Sequence, residues 1–163
     1  MVDIGAGDGR FALETARADP ATLAIAVDAS SDNLVDGARQ AVRRRLPNVL
    51  FVVSSVEQLP AGLAETADAA TVHFPWGSLL RGLTSADDAV LAPIARLVRA
   101  GGALELVLQT ADVALAGFER HGLALLDRHV ATDAEVAATR SRWAKRLGIG
   151  PARPAVVFRF RRG

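Results

Sequence analysis

The feature that most constrains the fold is a glycine-rich segment near the start of the chain. Residues 3–9, DIGAGDG, follow a short apolar run and precede a segment of helical periodicity. Because glycine has no Cβ, the backbone of such a loop can approach a bound ligand closely. A strand, a glycine loop and a helix in this order predict a nucleotide-like cofactor at the carboxyl end of the strand.

Short β-branched or apolar runs alternate with longer helical segments along the whole chain. This alternation is typical of βαβ units and a mainly parallel sheet. A capping box formed by Thr132 and Glu135 is expected to fix the start of the last helix. We predict one Rossmann-like α/β domain over residues 1–163, with helices on both faces of a seven-stranded sheet. The predicted strands are 2–4, 23–28, 49–54, 70–74, 103–108, 123–130 and 155–160, and the predicted helices are 10–18, 32–45, 87–98, 111–121 and 132–147.

Composition excludes several classes of protein. With 163 residues, 50% of them hydrophobic, the chain can bury one core but not those of two full α/β domains. It has no cysteine, which excludes disulfides and thiolate metal sites and favours a reducing compartment. His73, His121 and His129 lack the spacing of metal ligands, so we expect strand or surface roles and no metal. No apolar run approaches the roughly 20 residues of a membrane span, and no signal peptide opens the chain. We expect a soluble, cytoplasmic protein.

The glycine spacing distinguishes between cofactors. It is GxGxG, not the GxGxxG of dinucleotide-binding enzymes, and this favours S-adenosyl-L-methionine and a class I methyltransferase fold. Asp28 ends the next apolar strand, where a carboxylate can accept both ribose hydroxyls of an adenosine. Taken alone, the loop can be a plain turn and Asp28 a helix-capping acid. Their order and spacing together, however, agree with a cofactor site. The residues assigned to the cofactor are Asp3, Gly5, Gly7, Asp8, Asp28, Ala29, Ser55, Val56, Glu57, Phe74 and Ser78.

Both tryptophans of the chain lie in segments expected to flank the cofactor crevice. Trp76 follows the fourth strand in FPWGS, and Trp143 lies late on the last predicted helix in SRWAKRL. Two indoles there can sandwich one base, and stacking is worth roughly 1 to 3 kcal/mol per base. The alternative is that both rings are core anchors, the commoner fate of tryptophan. Their neighbours, a proline and a glycine in one case and basic residues in the other, argue against it.

Charge is distributed unevenly along the chain. The net charge is only +1, but no acidic residue follows Glu135 while eight basic residues do. A one-sided basic end suggests a polyanionic partner. The alternative is a solvated helix face, and the arginine run 43–45 is interpreted equally well that way.

Four segments carry a family resemblance: VDIGAGDGRF, LPNVLFVVSSVEQLP, FPWGSLLRG and SRWAKRLGIG. They resemble the aminoglycoside-resistance methyltransferases of the kanamycin and apramycin type, which modify N1 of adenine 1408 in 16S rRNA, and the likeness runs over nearly the whole chain. It implies action on the 30S subunit, by a protein we expect to be a monomer. It also implies that Asp28, Ser55, Val56 and Glu57 hold the cofactor. For the substrate it implies that Trp76 and Trp143 clamp a flipped adenine, that Ser78 and Ser141 line the pocket, and that Lys145, Arg146 and Arg153 hold rRNA phosphates.

The chain departs from the family pattern in three places. It starts inside the first predicted strand, so we expect that strand to be shortened. The connection between the fifth strand and Ala111 is also short, which we expect to reduce the ribosome-docking surface. Pro151 stands where relatives tend to have a basic residue, which removes one phosphate contact.

The expected chemistry needs no general base. Adenine N1 is largely unprotonated at neutral pH and has a lone pair, so Trp76, Trp143 and Ser78 are expected to act by positioning, which can be worth up to roughly 7 to 11 kcal/mol. Three alternatives stay open. The chain can methylate another RNA base or a small aromatic molecule, or be a noncatalytic RNA- or cofactor-binding module; a nicotinamide oxidoreductase is the weakest alternative.

Overall fold

The computed structural model describes residues 1–163, and their centre is one seven-stranded sheet. The strands are β1 (Val2–Ile4), β2 (Ala24–Asp28), β3 (Val49–Val53), β4 (Ala67–His73), β5 (Val98–Leu108), β6 (Leu123–Val130) and β7 (Val156–Arg162). Their order is β3-β2-β1-β4-β5-β7-β6, in which β7 is antiparallel to both neighbours and the other pairs are parallel. The predicted number of strands and the mainly parallel α/β class are confirmed.

Seven α-helices connect the strands: α1 (Arg10–Ala18), α2 (Ser31–Arg44), α3 (Gly77–Ser85), α4 (Asp88–Leu97), α5 (Leu115–Arg120), α6 (Asp133–Ala138) and α7 (Arg142–Arg146). Two short 3₁₀ turns follow β3, at Val56–Gln58 and Ala61–Leu63. None of the helices has both the length and the apolar character needed to cross a membrane. Because α1 and α2 each follow a parallel strand, their N-terminal ends lie at the carboxyl edge of the sheet, where ligands bind in folds of this class.

The last helix differs from the prediction of one helix over 132–147. The capping box of Thr132 and Glu135 forms as expected, but α6 ends at Ala138. Arg140 has a left-handed backbone, with φ at 56°, which breaks the helix. The Ser141 hydroxyl then accepts the Trp143 N–H at 3.1 Å and starts α7. Trp143 therefore lies in the first turn of a short second helix, not late on a long one. Helix α3, directly after the first tryptophan, was not predicted.

The apolar core divides into three clusters. The largest lies between the sheet and helices α3 to α5, and the second between the sheet and helices α1 and α2. The third contains Phe74, Val107, Ala144, Ala155 and Val157. Since Ala144 belongs to α7, this third cluster anchors that helix against β5 and β7 and so positions the residues beside it.

A row of polar side chains crosses the sheet. Asp3, Thr71, Glu105, Arg159 and Asp127 are successive register partners on β1, β4, β5, β7 and β6. The Asp3 carboxylate accepts the Thr71 hydroxyl at 2.9 Å, and the Arg159 guanidinium donates to Glu105 at 2.9 Å and lies 3.4 Å from Asp127. Directly opposed side chains on neighbouring strands interact, so this row links the glycine loop to the far edge of the sheet.

Candidate active site

The glycine loop has the backbone of a close-approach ligand site. Gly5 and Gly7 have φ values of 69° and 57°, a region that residues with a side chain rarely adopt. A Cβ on Gly5 would lie 3.0 Å from the Leu79 side chain, so α3 also closes in on this turn. The Ala6 N–H donates to the Val27 carbonyl at 2.9 Å, which fixes the loop against β2. The loop is thereby held open toward the carboxyl edge of the sheet.

Asp28 connects the two loops that follow β1 and β2. Its carboxylate accepts the Gly7 N–H at 2.8 Å, the Ser30 N–H at 2.9 Å and the Asn33 side-chain amide at 3.0 Å. A carboxylate offers about four acceptor positions, so three donors leave one open. Accepting both hydroxyls of a ribose therefore requires that the Asn33 amide turn away.

A cleft of about 380 Å³ lies over this edge of the sheet, within the usual range for small-molecule sites. On one side it is bounded by the 3₁₀ turn after β3, which the Ser54 hydroxyl stabilises by bonds of 3.0 and 2.8 Å to the carbonyls of Ser55 and Gln58. On the other side lies the start of α3. The structure brings together here seven residues assigned to the cofactor from sequence: Gly5, Asp28, Ala29, Ser55, Val56, Glu57 and Ser78.

A second cleft, of about 250 Å³, shares Gly5, Asn33 and Trp76 with the first, so the two form one crevice. It contains the remaining acidic and glycine residues assigned to the cofactor. Its other wall is formed by the turn before α7 and by α7 itself. The predicted site residues that line it are Asp3, Gly5, Gly7, Asp8, Trp76, Ser141, Trp143 and Arg146.

Two carboxylates lie at the base and rim of this second cleft. Asp3 is only 3% exposed, and burial raises its pKa to about 6, while the nearby His73 and the Thr71 hydrogen bond act to lower it. Asp8 forms ion pairs with Arg142 at 3.2 Å and with Arg10 at 3.4 Å. The first pair joins the glycine loop directly to α7.

The two indole rings face each other at the mouth of the crevice. Their centroids are 5.8 Å apart and their planes differ by 28°. Trp76 is 65% exposed, Trp143 is half-buried, and the Arg146 guanidinium lies 5.2 Å from the centroid of Trp143. Stacked atoms sit about 3.5 Å apart, so a base between two rings needs about 7 Å. The rings must therefore separate by about 1 Å or more to admit one.

Several predicted site residues lie outside both clefts or, like Ser141, are engaged in structural hydrogen bonds. The Phe74 side chain is 1% exposed and belongs to the third apolar cluster, so it faces neither cleft. The Ser141 hydroxyl is used as the cap of α7. Lys145 lines a different, larger groove of about 980 Å³ behind α7. Arg153 is exposed and donates to the Leu147 carbonyl at 3.2 Å, in the turn after α7. Of the three predicted phosphate contacts, only Arg146 adjoins the tryptophans.

Some of the basic residues that follow Glu135, the basic tail, already have partners within the chain. Arg159 pairs with Glu105 and Asp127 within the sheet and with Glu135 of α6. Arg162 donates to the His121 carbonyl, and Arg142 is paired with Asp8. The tail residues without an acidic partner within 4 Å are Arg140, Lys145, Arg146, Arg153, Arg161 and Arg162.

The crevice residues that were not identified from the sequence include Asn33 and His73. Asn33 bonds Asp28, and its place in the first turn of α2, five residues after that acid, was a usable signal. His73 lines the second cleft, with a side chain only 6% exposed. The sequence signal for His73 was its position at the end of a strand facing the ligand edge. No group of three or more histidine, aspartate or glutamate side chains is placed to hold a metal ion.

The chain is similar in sequence to one family of RNA-modifying enzymes. Residues 1–127 match the family model "NpmA: 16S rRNA (adenine(1408)-N(1))-methyltransferase". A 16S rRNA (adenine(1408)-N(1))-methyltransferase of Escherichia coli is 32% identical over 132 residues, which are 78% of this chain and 60% of that protein. An enzyme of the same name from Streptoalloteichus hindustanus is 29% identical, with 90% of this chain and 79% of that protein aligned. The chain thus spans well under the full length of the first of these relatives.

Several solved methyltransferase structures are similar to this chain. The 16S rRNA methyltransferase KamB superposes with a TM-score of 0.88 at 24% identity, over 99% of this chain and 86% of that one, and this likeness concerns the fold. A 16S rRNA (adenine(1408)-N(1))-methyltransferase from Catenulisporales acidiphilia, solved as a tryptophan-to-alanine mutant with its cosubstrate SAM, superposes with a TM-score of 0.86 at 28% identity, covering 99% of this chain and 84% of that one. The aminoglycoside resistance methyltransferase NpmB1 reaches a TM-score of 0.77 at 31% identity, over 99% and 86% of the two chains.

Proposed function

Because the chain belongs to the NpmA family of 16S rRNA (adenine(1408)-N(1))-methyltransferases, we propose that it methylates N1 of adenine 1408 in 16S rRNA. The observation that carries the proposal is the pair of facing indoles, Trp76 and Trp143, at the mouth of a crevice built on the glycine loop. The methyl donor is S-adenosyl-L-methionine, and the substrate is the rRNA of the 30S subunit. We further propose that residues 1–163 act as one methyltransferase domain, as a cytoplasmic monomer without a metal ion, and that the modification protects ribosomes from aminoglycosides.

The two adjoining clefts suit the two ends of the donor. Asp28 and the 3₁₀ turn that contains Val56 border the first cleft, which fits the ribose and adenine of an adenosine. Asp3 and Asp8 bring negative charge to the second cleft, and Arg142 and Arg146 bring positive charge. A zwitterionic amino acid, with one ammonium and one carboxylate, complements that mixture. When bound, the cofactor supplies an activated methyl group on a sulfonium.

The substrate base belongs between the indoles. Stacking on both rings is worth roughly 1 to 3 kcal/mol per ring, which offsets the few kcal/mol needed to unstack the base and flip it out. Arg146 lies over the Trp143 ring and holds its orientation through a cation–π contact. The Ser141 cap and the third apolar cluster fix the helix from which Trp143 projects. The chain therefore provides one rigidly mounted indole and one exposed indole on a loop.

Catalysis by this chain consists of positioning. Adenine N1 has a lone pair at neutral pH, so no residue has to remove a proton before the methyl group is transferred. Holding the base at near-attack distance and excluding water can supply up to roughly 7 to 11 kcal/mol. The exposed Ser78, at the start of α3, lines the cleft on the side of Trp76 and contributes a hydroxyl to the same wall.

The test is methyl transfer to purified ribosomal particles. The chain is incubated with S-adenosyl-L-methionine carrying a labelled methyl group and with 30S subunits, 50S subunits or protein-free 16S rRNA, and the RNA is digested to nucleosides. We expect label only in the 30S reaction, as 1-methyladenosine. Label in a different nucleoside would transfer the proposal to another RNA base, and cofactor binding without any label would favour a noncatalytic module.

A further inference from the structure

His73 occupies an unusual position beneath the second cleft. Its side chain is 6% exposed, and both ring nitrogens are buried without a hydrogen-bond partner. Nδ1 lies 3.9 Å from an Asp3 carboxylate oxygen, and Nε2 lies 3.7 Å from one of Glu105. Phe11 of α1 packs edge-on against the imidazole, with the ring centroids 4.6 Å apart. Buried polar groups are nearly always satisfied, so an imidazole held between two carboxylates calls for an electrostatic explanation.

The charges around His73 belong to the polar row of the sheet. On β5, Glu105 is neutralised by Arg159 of β7, whose guanidinium donates to it at 2.9 Å. On β1, Asp3 has the Thr71 hydroxyl as its hydrogen-bond partner, but no arginine or lysine lies within ion-pairing distance. The Asp28 carboxylate on β2 acts on Asp3 with the same sign. His73 is therefore the basic side chain nearest to Asp3, while on its other side it acts together with Arg159 to lower the pKa of Glu105.

The other charges of the second cleft lie on its rim. Arg140, Arg142 and Arg146 come from the turn before α7 and from α7, and Asp8 from the glycine loop is tied to Arg142 and to Arg10 of α1. The rim is thus rich in positive charge, which suits a carboxylate. Asp3 is the acidic group at the base of the cleft, where it suits an ammonium.

Two opposing effects set the pKa of Asp3 and therefore its charge near neutral pH. Burial raises its pKa to about 6, and the electrostatic effect of the neighbouring His73 acts to lower it. An opposite charge within about 4 to 6 Å lowers the pKa of a carboxyl group by about one unit or more. Without the imidazole, Asp3 would lose its negative charge at a pH closer to neutrality.

We propose that His73 is a positioning residue for the methyl donor, which keeps the Asp3 carboxylate negatively charged beneath the cationic, amino-acid end of that ligand. The inference rests on the proposed function for the identity of the ligand. It adds a residue that acts through Asp3 and touches neither the base nor the transferred methyl group. It also gives a role to a buried imidazole that lies between two acids.

The test measures binding, not turnover. Calorimetric titrations between pH 5.5 and 8 compare S-adenosylhomocysteine, which keeps the amino-acid end, with 5′-methylthioadenosine, which lacks it. The unsubstituted chain is expected to lose affinity for S-adenosylhomocysteine as the pH falls through about 6. In His73→Gln and His73→Leu the midpoint of that loss should rise by about one unit, which makes binding about threefold weaker at pH 6.5. Affinity for 5′-methylthioadenosine should stay within about twofold in all proteins.

His129→Gln is the matched control, because His129 pairs with Asp127 and Glu135 at the far end of the same row. Its midpoint should equal that of the unsubstituted chain. Thermal unfolding checks that every variant is folded. An unchanged midpoint in both His73 variants overturns the inference, as does a glutamine variant that behaves like the unsubstituted chain, since glutamine restores polarity without charge. Equal losses for both ligands overturn it as well.

The same experiments distinguish a failure of the inference about His73 from a failure of the proposed function. A His73-dependent pH profile in a chain that transfers no methyl group to 30S subunits would support the inference and reject the proposed substrate. If the unsubstituted chain binds neither compound at any pH, both conclusions are wrong.

Discussion

The indole rings of Trp76 and Trp143 lie face to face with their centroids 5.8 Å apart, although two strands of the sheet, β5 and β6, separate them along the chain. Trp76 ends the loop after β4, and Trp143 lies in the first turn of α7, which is anchored on β5 and β7 through Ala144. In this arrangement the two rings stack on each other. Opening this pair by about 1 Å or more is the movement that base binding requires.

Removing either indole should abolish stacking on one side of the base. We expect Trp76→Ala and Trp143→Ala to lower methyl transfer to 30S subunits by roughly 5- to 150-fold each, the equivalent of about 1 to 3 kcal/mol. The corresponding phenylalanine variants should retain more activity because they keep an aromatic face. Calorimetry with S-adenosylhomocysteine should show affinities within about threefold of the unsubstituted chain. A large loss of cofactor affinity would contradict the assigned roles.

Asp28→Asn should weaken binding of any adenosine ligand by about tenfold or more, because hydrogen bonds to a charged acceptor are worth about 1.5 to 3 kcal/mol. The substitution also weakens the bond from the Gly7 N–H that holds the glycine loop. Since the ribose is common to both ligands, S-adenosylhomocysteine and 5′-methylthioadenosine should be affected alike, unlike in the His73 variants. Asp32→Asn, an exposed acid in the first turn of α2, is the control and should bind normally.

Asp3→Asn should stabilise the fold at neutral pH. The pKa of Asp3 is about 6 in the folded chain against 3.8 for a free carboxyl. The folded state therefore binds more protons than the unfolded state between these values, and stability falls as the pH rises from about 4 through 6. Asparagine keeps an acceptor for the Thr71 hydroxyl without the buried charge. We expect its free energy of unfolding to exceed that of the unsubstituted chain by roughly 1 to 3 kcal/mol at pH 7.5.

Urea unfolding between pH 4 and 7.5 measures this difference, which should disappear toward the acid end. A destabilised asparagine variant at pH 7.5 would show that the Asp3 carboxylate is not held at an energetic cost. The same variant should bind S-adenosylhomocysteine poorly, so stability and ligand affinity should change in opposite directions.

Basic residues that bind phosphates should make the affinity for 30S subunits depend on salt concentration. We expect Lys145→Ala and Arg153→Ala to weaken binding to 30S subunits, and to reduce the slope of log affinity against log salt by about 0.7 to 0.9 for each lost phosphate contact. Arg120→Ala is the control, because Arg120 lies on α5 beside Asp88, away from the crevice. A salt dependence unchanged in both tail variants would mean that the rRNA docks on another surface.

The sequence was sufficient for the number of strands and for one side of the crevice, although β5 begins at Val98, five residues before the predicted strand. Strands β1 and β6 and helix α1 begin and end where periodicity placed them, because their apolar positions and flanking turns are local signals. The break at Arg140 depends on a left-handed backbone that a non-glycine residue rarely adopts, so the pattern favoured one long helix.

The polar row of the sheet and the ion pairs of the basic tail could not be predicted from the sequence for a different reason. Arg159 meets Glu105 and Asp127 only through the strand order and register of β5, β7 and β6. In the sequence Arg159 counts toward the basic tail that suggests a polyanionic partner, whereas in the fold it pairs with acids. Phe74 was assigned to the cofactor from its place in the loop, but its side chain points into the third apolar cluster. Which way a loop side chain faces is decided by packing, not by spacing.

Primer extension on 16S rRNA tests the central claim most directly. A methyl group on N1 blocks the base-pairing edge of adenine, so reverse transcriptase stops there. On rRNA from 30S subunits incubated with the chain and S-adenosyl-L-methionine, we expect a new stop at adenine 1408, absent without the cofactor and strongly reduced with Trp143→Ala. A stop at another nucleotide, or none in a preparation that binds the cofactor, would contradict the account.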